Sequence, residues 1–174
     1  MEALHGADAI APALSVIDAI SGPDARRVTG WATVELDRAE RDVAAAFAPS
    51  GAATARDLPD DTLLGARCRV VTLGVGEREV LLLEPATEGR IAASLARFGE
   101  GPIAEYLIVP HDRFGDLVRD AVEAGLVLSA EAAGPFGRQR LVVGGPPWGA
   151  HLCVAQSAGA EGAAGAAGAA TIGP

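Results

Sequence analysis

The feature that most constrains this chain is an internal repeat, in which the order strand–helix–strand–strand–strand runs over about residues 28–85 and again over 103–156. A repeat outweighs any single element as fold evidence because it constrains the topology of both halves at once. In the first copy, residues 28–36 are rich in β-branched and aromatic side chains and read as a strand. Asp37 and Glu40 then have the spacing of a capping box, Val43, Ala44 and Phe47 supply a buried helix face, and Pro49 ends the helix. A polar loop follows, then a strand at 67–73, a tight Gly74-Val75-Gly76 turn and a strand at 79–84, which predict a hairpin. In the second copy, residues 103–109 are strand-like. Asp112 heads a helix carrying Phe114, Leu117, Val118 and Ala121, Gly125 closes it, and strand-like runs occupy 126–130, 138–143 and 151–156. Between the copies, residues 87–98 predict a helix with Ile91, Leu95 and Phe98 on one face and Gly99 as its stop. The expected fold class is α+β: two tandem βαβββ modules forming a curved, cup-like mixed sheet with helices outside.

Three segments are expected. Residues 1–25 form an N-terminal amphipathic extension in which Ile10, Leu14, Ile17 and Ile20 recur at helical spacing before Ser21-Gly22-Pro23. Residues 26–156 form a single domain, and 157–174 are a Gly/Ala-rich tail with almost nothing to bury beyond Ile172, expected to be disordered. The apolar stripe of the extension suggests a homodimer. Every one of the 14 basic residues is arginine, and the net charge is -9. So acidic a surface repels phosphate backbones and anionic lipids, so neither nucleic acid nor membrane is an expected partner. The first 22 residues lack a basic secretory start and no apolar stretch approaches a membrane span. Cys68 and Cys153 have no metal-knuckle spacing and make no disulfide framework, so a cytoplasmic location is expected.

Leu82-Leu83-Glu84-Pro85, then Ile91-Ala92 and Leu95, then Gly99-Glu100-Gly101, set between two such modules, resembles the vicinal-oxygen-chelate superfamily of glyoxalases, epimerases, extradiol dioxygenases and bleomycin-resistance proteins. The closest resemblance in motif is to its methylmalonyl-CoA epimerase-like branch, and it covers about residues 28–156. The resemblance implies a cup whose strands, in the enzymes, hold a divalent metal through a His on the first strand of each module and a Glu or Gln on the last. Carried over position by position, the first-strand His falls on Gly30, the fourth-strand carboxylate on Leu81 and the last-strand Glu on Cys153. The fifth-strand His falls on Ala104 when counted from Gly99-Glu100-Gly101, and on Glu105 when counted from Asp112. A one-residue slip exchanges the faces of a strand, so the two alternatives place Glu105 on opposite sides. Either way the donors do not make a site for a hard cation, and no metal or other cofactor is expected.

Four residues could still carry chemistry. Cys153 reads as a nucleophile or as a small buried hydrophobe. His151, two residues earlier on the same strand, shares its face. Glu79 shares the face of Leu81 and reads as an acid–base group or a solvated strand end, and Glu105 joins it if it points inward. Tyr106 is the candidate for pocket lining in the Ala104 register and Trp148 for the rim, so the expected ligand-binding set is Gly30, Leu81, Ala104, Tyr106, Trp148 and Cys153. Three functions follow as expectations. The first is a metal-free pocket binding a small organic molecule in the manner of bleomycin-resistance proteins. The others are a lyase, isomerase or epimerase working by acid–base chemistry on a carbonyl substrate, and a non-catalytic dimeric accessory protein.

Overall fold

The computed structural model describes residues 4, 7–47, 53–74 and 78–157. Val75 and Gly76 of the expected turn, and the tail beyond Ser157, lie outside the described residues.

The extension begins with a 3-10 turn and continues as helix α1 (Ala11–Ser21), with Pro12 in its first turn where a missing N–H costs nothing. The first module then runs β1 (Arg26–Ala32), α2 (Leu36–Phe47), β2 (Ala53–Asp61), β3 (Ala66–Leu73) and β4 (Arg78–Pro85). Helix α3 (Arg90–Phe98) links it to β5 (Gly101–Val109), α4 (Phe114–Glu123), β6 (Ala132–Gly134), β7 (Gly137–Leu141) and β8 (His151–Gln156). All strands join one eight-stranded sheet in the order β2-β3-β4-β1-β5-β8-β7-β6. The first strand of each module pairs in parallel with that module's last, and β1 and β5 meet antiparallel at the centre. This is the expected pair of βαβββ modules.

Four local expectations are corrected. The segment 53–61 is a strand, not a polar loop. The run 126–130 contributes only an isolated bridge from Leu128 to Val142, and the strand there is β6. Asp37 and Glu40 do not cap α2: Asp37 lies inside its first turn, and both carboxylates accept from Arg69 Nη1 instead, at 2.7 and 2.8 Å. Asp112 falls within a 3-10 turn (His111–Arg113), and α4 has no side-chain cap.

The two motif acids bind the entry to α2 and its first N–H group. Glu84 Oε2 accepts from Leu36 N at 3.2 Å, and Glu100 Oε1 accepts from Val34 N and Thr33 Oγ1, both at 2.7 Å. Burial pushes the Glu100 carboxyl up, but these hydrogen bonds and that from Arg38 outweigh it and hold it below the usual range. The Leu-Leu-Glu-Pro and Gly-Glu-Gly stretches therefore fasten the first helix to the linker between modules.

Side chains alternate across the sheet, so each face has its own core. The concave face gathers Val28, Leu81, Leu83, Ala104, Tyr106 and Cys153, with Ile91 of α3 packed into the same cluster. On the convex face, α2 covers Val71, Leu73 and Leu82, while α1 and α4 together cover Leu107, Val109, Leu152 and Val154. The curl brings the two edge strands together, where Thr62 donates from its hydroxyl to the Ala133 carbonyl at 2.7 Å.

Candidate functional site

Three of the expected metal positions come together in the cup. The register sets Gly30 beside both Leu81 and Ala104, and Tyr106 beside Cys153. It also sets Ala104 beside His151, so the residue that stands on β8 where Leu81 stands on β4 is His151, two positions before Cys153. The space they face is filled. A Cβ on Gly30 would lie 2.9 Å from Leu83 Cδ1, 3.0 Å from Ala104 Cβ and 3.1 Å from Tyr106 Cε2. Contacts that close leave no room for an imidazole. Leu81, Ala104, Tyr106 and Cys153 are fully buried. Tyr106 packs edge-on to Phe136 with ring centroids 5.6 Å apart, and its hydroxyl donates to Asp61 Oδ2 at 2.7 Å. The donor set does not fit a divalent ion: Gly30, Leu81 and Ala104 offer no donor, and among the described residues no group of three His, Cys, Asp or Glu is placed to hold one.

The buried nucleophile candidates are in the wrong protonation state for catalysis. Burial pushes the Cys153 thiol well above its ordinary range, with Asp61 adding to the effect, and Cys68 shifts the same way for the same reasons. Burial, helped by Arg90, pulls His151 down to about 4, and its Nε2 has no hydrogen-bond partner. A neutral imidazole beside an un-ionised thiol is not an activated dyad.

Glu105 answers the register question. It lies directly across from Thr29 on the convex face, one residue out of step with the cup, and Thr29 Oγ1 donates to its Oε2 at 3.3 Å. It is only 8% exposed, and burial raises its pKa against the opposing effects of Thr29 and Arg27. Glu79 comes to the same region, paired with Arg26 at the start of β4. Of the four candidates only Glu105 thus stands on the convex face; His151 and Cys153 face the cup, and Glu79, two residues before Leu81 on β4, belongs to the cup face at its rim, where its partner Arg26 lies over Phe136.

Glu79 and Glu105 line a cleft of about 360 Å³ whose floor is the outward face of β1 and whose wall is the last turns of α2. Its apolar surface comes from Trp31, Val43, Phe47, Leu73, Val80 and Pro102. Its charges come from Arg26, Arg27, Arg78, Glu79 and Glu105. None of the six expected ligand-binding residues lines it. Five face the packed interior; Trp148 stands on the outer surface beside Ala93, Ala96 and Arg97 in a second, shallower depression. Sequence reasoning missed Thr29, Phe47, Arg78 and Pro102. A signal was present: the outward positions of β5 and β8 beneath helices are Leu107, Val109, Leu152 and Val154, whereas those of β1 are Arg27, Thr29 and Trp31. Polar residues at positions that a helix should cover mark an uncovered stretch of sheet.

A curled sheet built from two βαβββ modules around a pseudo-twofold is the vicinal-oxygen-chelate fold, and the chain has that fold. Among solved structures it is similar to the methylmalonyl-CoA epimerase of Mycobacterium tuberculosis, with a TM-score of 0.64 and 18% identity over 78% of this chain and 89% of that one. A variant of the Streptomyces coelicolor methylmalonyl-CoA epimerase, in complex with 2-nitronate-propionyl-CoA, superposes with a TM-score of 0.59 and 20% identity over 76% of this chain and 96% of that one. A hypothetical protein from Bacillus halodurans gives 0.58 and 18% over 79% and 97%. No family model matches the chain, and no curated protein does.

Proposed function

We propose that this protein is a metal-independent small-molecule binder that has moved its ligand site from the cup to the convex face of the sheet. The observation that carries this reading is the contrast between Gly30, hemmed in by Leu83, Ala104 and Tyr106, and Glu105, which faces an open cleft of about 360 Å³. That volume lies at the small end of the range for organic ligands, and a mostly apolar wall with a few fixed charges is the usual composition of such a site. Protein isolated without affinity resin is expected to carry Zn, Ni, Mn, Fe and Co far below one ion per chain. In a thermal-shift screen of small organic compounds, ligands should raise Tm for the native chain but not for Phe47→Asp. Phe47, expected on the buried face of α2, is instead 51% exposed, so that change should cost little stability, which the unliganded Tm of the variant checks. Stoichiometric metal, or stabilisation untouched by Phe47→Asp, would return the site to the cup.

Glu105 supports a second reading, isomerase or epimerase chemistry in the same cleft, because a buried carboxyl shifted toward neutrality suits proton transfer alpha to a carbonyl. That reading requires solvent deuterium to enter a bound carbonyl compound, and the exchange to vanish in Glu105→Gln.

No described helix is long and apolar enough to cross a membrane. We read the chain as cytoplasmic, with neither nucleic acid nor membrane as a partner. A homodimer, if formed, uses a surface other than the α1 stripe. Ile10 and Ile17 are buried against α4 and the second module, with Leu14 and Ile20 packed around them.

A further inference from the structure

We infer that the convex cleft takes a protonated amine carried on a compact apolar body, its ammonium group held by Glu105; this rests on the cleft being the ligand site. The charged residues that line the cleft differ in how much water reaches them. Arg26, Arg27 and Arg78 are exposed, whereas Glu105 is buried in the floor. Arg26 is paired with Glu79 at the rim, and its guanidinium lies over the Phe136 ring at 5.2 Å. Arg78 stands at the exposed start of β4. A charge in bulk water is felt weakly a few ångströms away, and the same charge in a desolvated site several times more strongly. The potential that a ligand meets at the floor is therefore set by Glu105 and by its nearest charged neighbour, Arg27.

Arg27 does not cancel that carboxylate, because Asp18 of α1 engages it. On the outward face of β1, Thr29 stands directly across from Glu105 and Arg27 across from Leu107, so Arg27 starts one step along the sheet from the carboxyl. Its guanidinium ends in an ion pair with Asp18. Asp18 is thus a positioning residue that keeps Arg27 off Glu105. Thr29 Oγ1 donates to Glu105 Oε2 at 3.3 Å, and among the described residues nothing donates to Oε1. An ammonium N–H supplies the missing donor and the missing countercharge together, in a setting where a charge-assisted hydrogen bond is strong. Toward α2 the wall turns aromatic. Trp31 lies two residues on from Thr29 on the same face of β1, and Phe47 is the last residue of α2. Their rings attract a cation as well as an apolar chain, and a volume of about 360 Å³ suits a body of one ring.

The probe is 4-phenylbutylamine, compared with the uncharged 4-phenylbutan-1-ol and the anionic 4-phenylbutyrate. Trp31 and Trp148 are the two tryptophans, so emission in a Trp148→Phe background reports Trp31 in the cleft alone. The amine should bind, with the alcohol weaker by about tenfold and the acid weaker still. Glu105→Gln should bring the amine down to the level of the alcohol. Asp18→Asn releases Arg27 to turn onto Glu105 and should weaken the amine while leaving the alcohol unchanged; adding Arg27→Gln to that variant should restore the amine. Equal binding of amine and alcohol by the native chain, quenched at Trp31 and lost in Phe47→Asp, overturns the ammonium site while leaving the cleft as the ligand site. An amine preference untouched by Glu105→Gln does the same. Absence of any Trp31 response to all three compounds overturns this inference together with the cleft.

Discussion

Tyr106 and Asp61 join the two modules through a single hydrogen bond inside the sheet, 2.7 Å from phenol to carboxylate, with neither residue open to solvent. Asp61 sits at the end of β2 and also accepts, through Oδ1, from the N–H groups of Leu63 (2.9 Å) and Leu64 (2.8 Å). One carboxylate thereby fixes the turn into β3 and locks the ring that fills the cup.

Removing the phenol oxygen with Tyr106→Phe should cost about 1–2 kcal/mol, since the ring still packs against Phe136 and only one bond is lost. Asp61→Ala orphans three donors and should cost about 3 kcal/mol or more. Urea unfolding midpoints at constant m-value test the order. Equal costs for the two variants would mean that the turn bonds contribute nothing.

Gly30→Ala forces a methyl against Leu83, Ala104 and Tyr106 and should destabilise by about 1–3 kcal/mol. Gly30→His, which places an imidazole in the same crowded position, should unfold the domain or drop its Tm well below that of Gly30→Ala, and should not gain zinc in equilibrium dialysis. A folded Gly30→His chain holding one zinc would show the cup to be latent.

His151 predicts a pH dependence of stability. Its folded pKa of about 4 lies below the ordinary 6.5, so between these values the unfolded chain binds the extra proton and the folded chain does not. The contribution is fully present above pH 6.5 and is lost as pH falls toward 4, by about 3 kcal/mol at most. The raised carboxyl of Glu105 acts in the opposite direction over an overlapping range, so the measurement is a difference. Native protein and His151→Leu should be titrated by denaturant between pH 4 and 7; the native chain should lose stability relative to the variant as pH falls across this range, by up to about 3 kcal/mol. Parallel curves would mean that His151 is hydrated.

Cys68 and Cys153 should be silent to a thiol reagent such as dithiobis-nitrobenzoate in native buffer and react together when the domain unfolds, because both are buried and both thiols are shifted upward. The rate should follow the unfolding equilibrium across a urea series. Rapid labelling of one thiol in native buffer would expose an opening of the cup.

The repeat, the two central strands and the linking helix were legible because their apolar residues recur at the right period. β2 was not: Ala53–Asp61 is an edge strand, mostly exposed, carrying Pro59, and its polar composition resembles a loop. β6 escaped because Ala-Ala-Gly has no β-branched side chain to mark it. The direction of Glu105 turned on a single residue. Counting back from Asp112 fails because a 3-10 turn, not a cap, precedes α4, whereas counting from the glycine pair survives the bulge between Gly30 and Trp31. Position in the cup was thus readable from motif spacing. That Tyr106 fills it was not, since nothing in a linear spacing reports which side chain occupies a shared volume.

Docking of α1 makes the two halves of a near-symmetric molecule unequal. The second module has two helices over its outer face and the first has one, whose buried face is made of small residues, Ala39 and Val43, beside Leu36. A pseudo-twofold would by itself generate two equivalent clefts, but Ile17 and its neighbours occupy the place where the second would open. Calorimetric titration should accordingly saturate at one equivalent per chain. Ile17→Ala, costing about 3 kcal/mol of stability, is then the substitution most apt to loosen α1 and raise that stoichiometry.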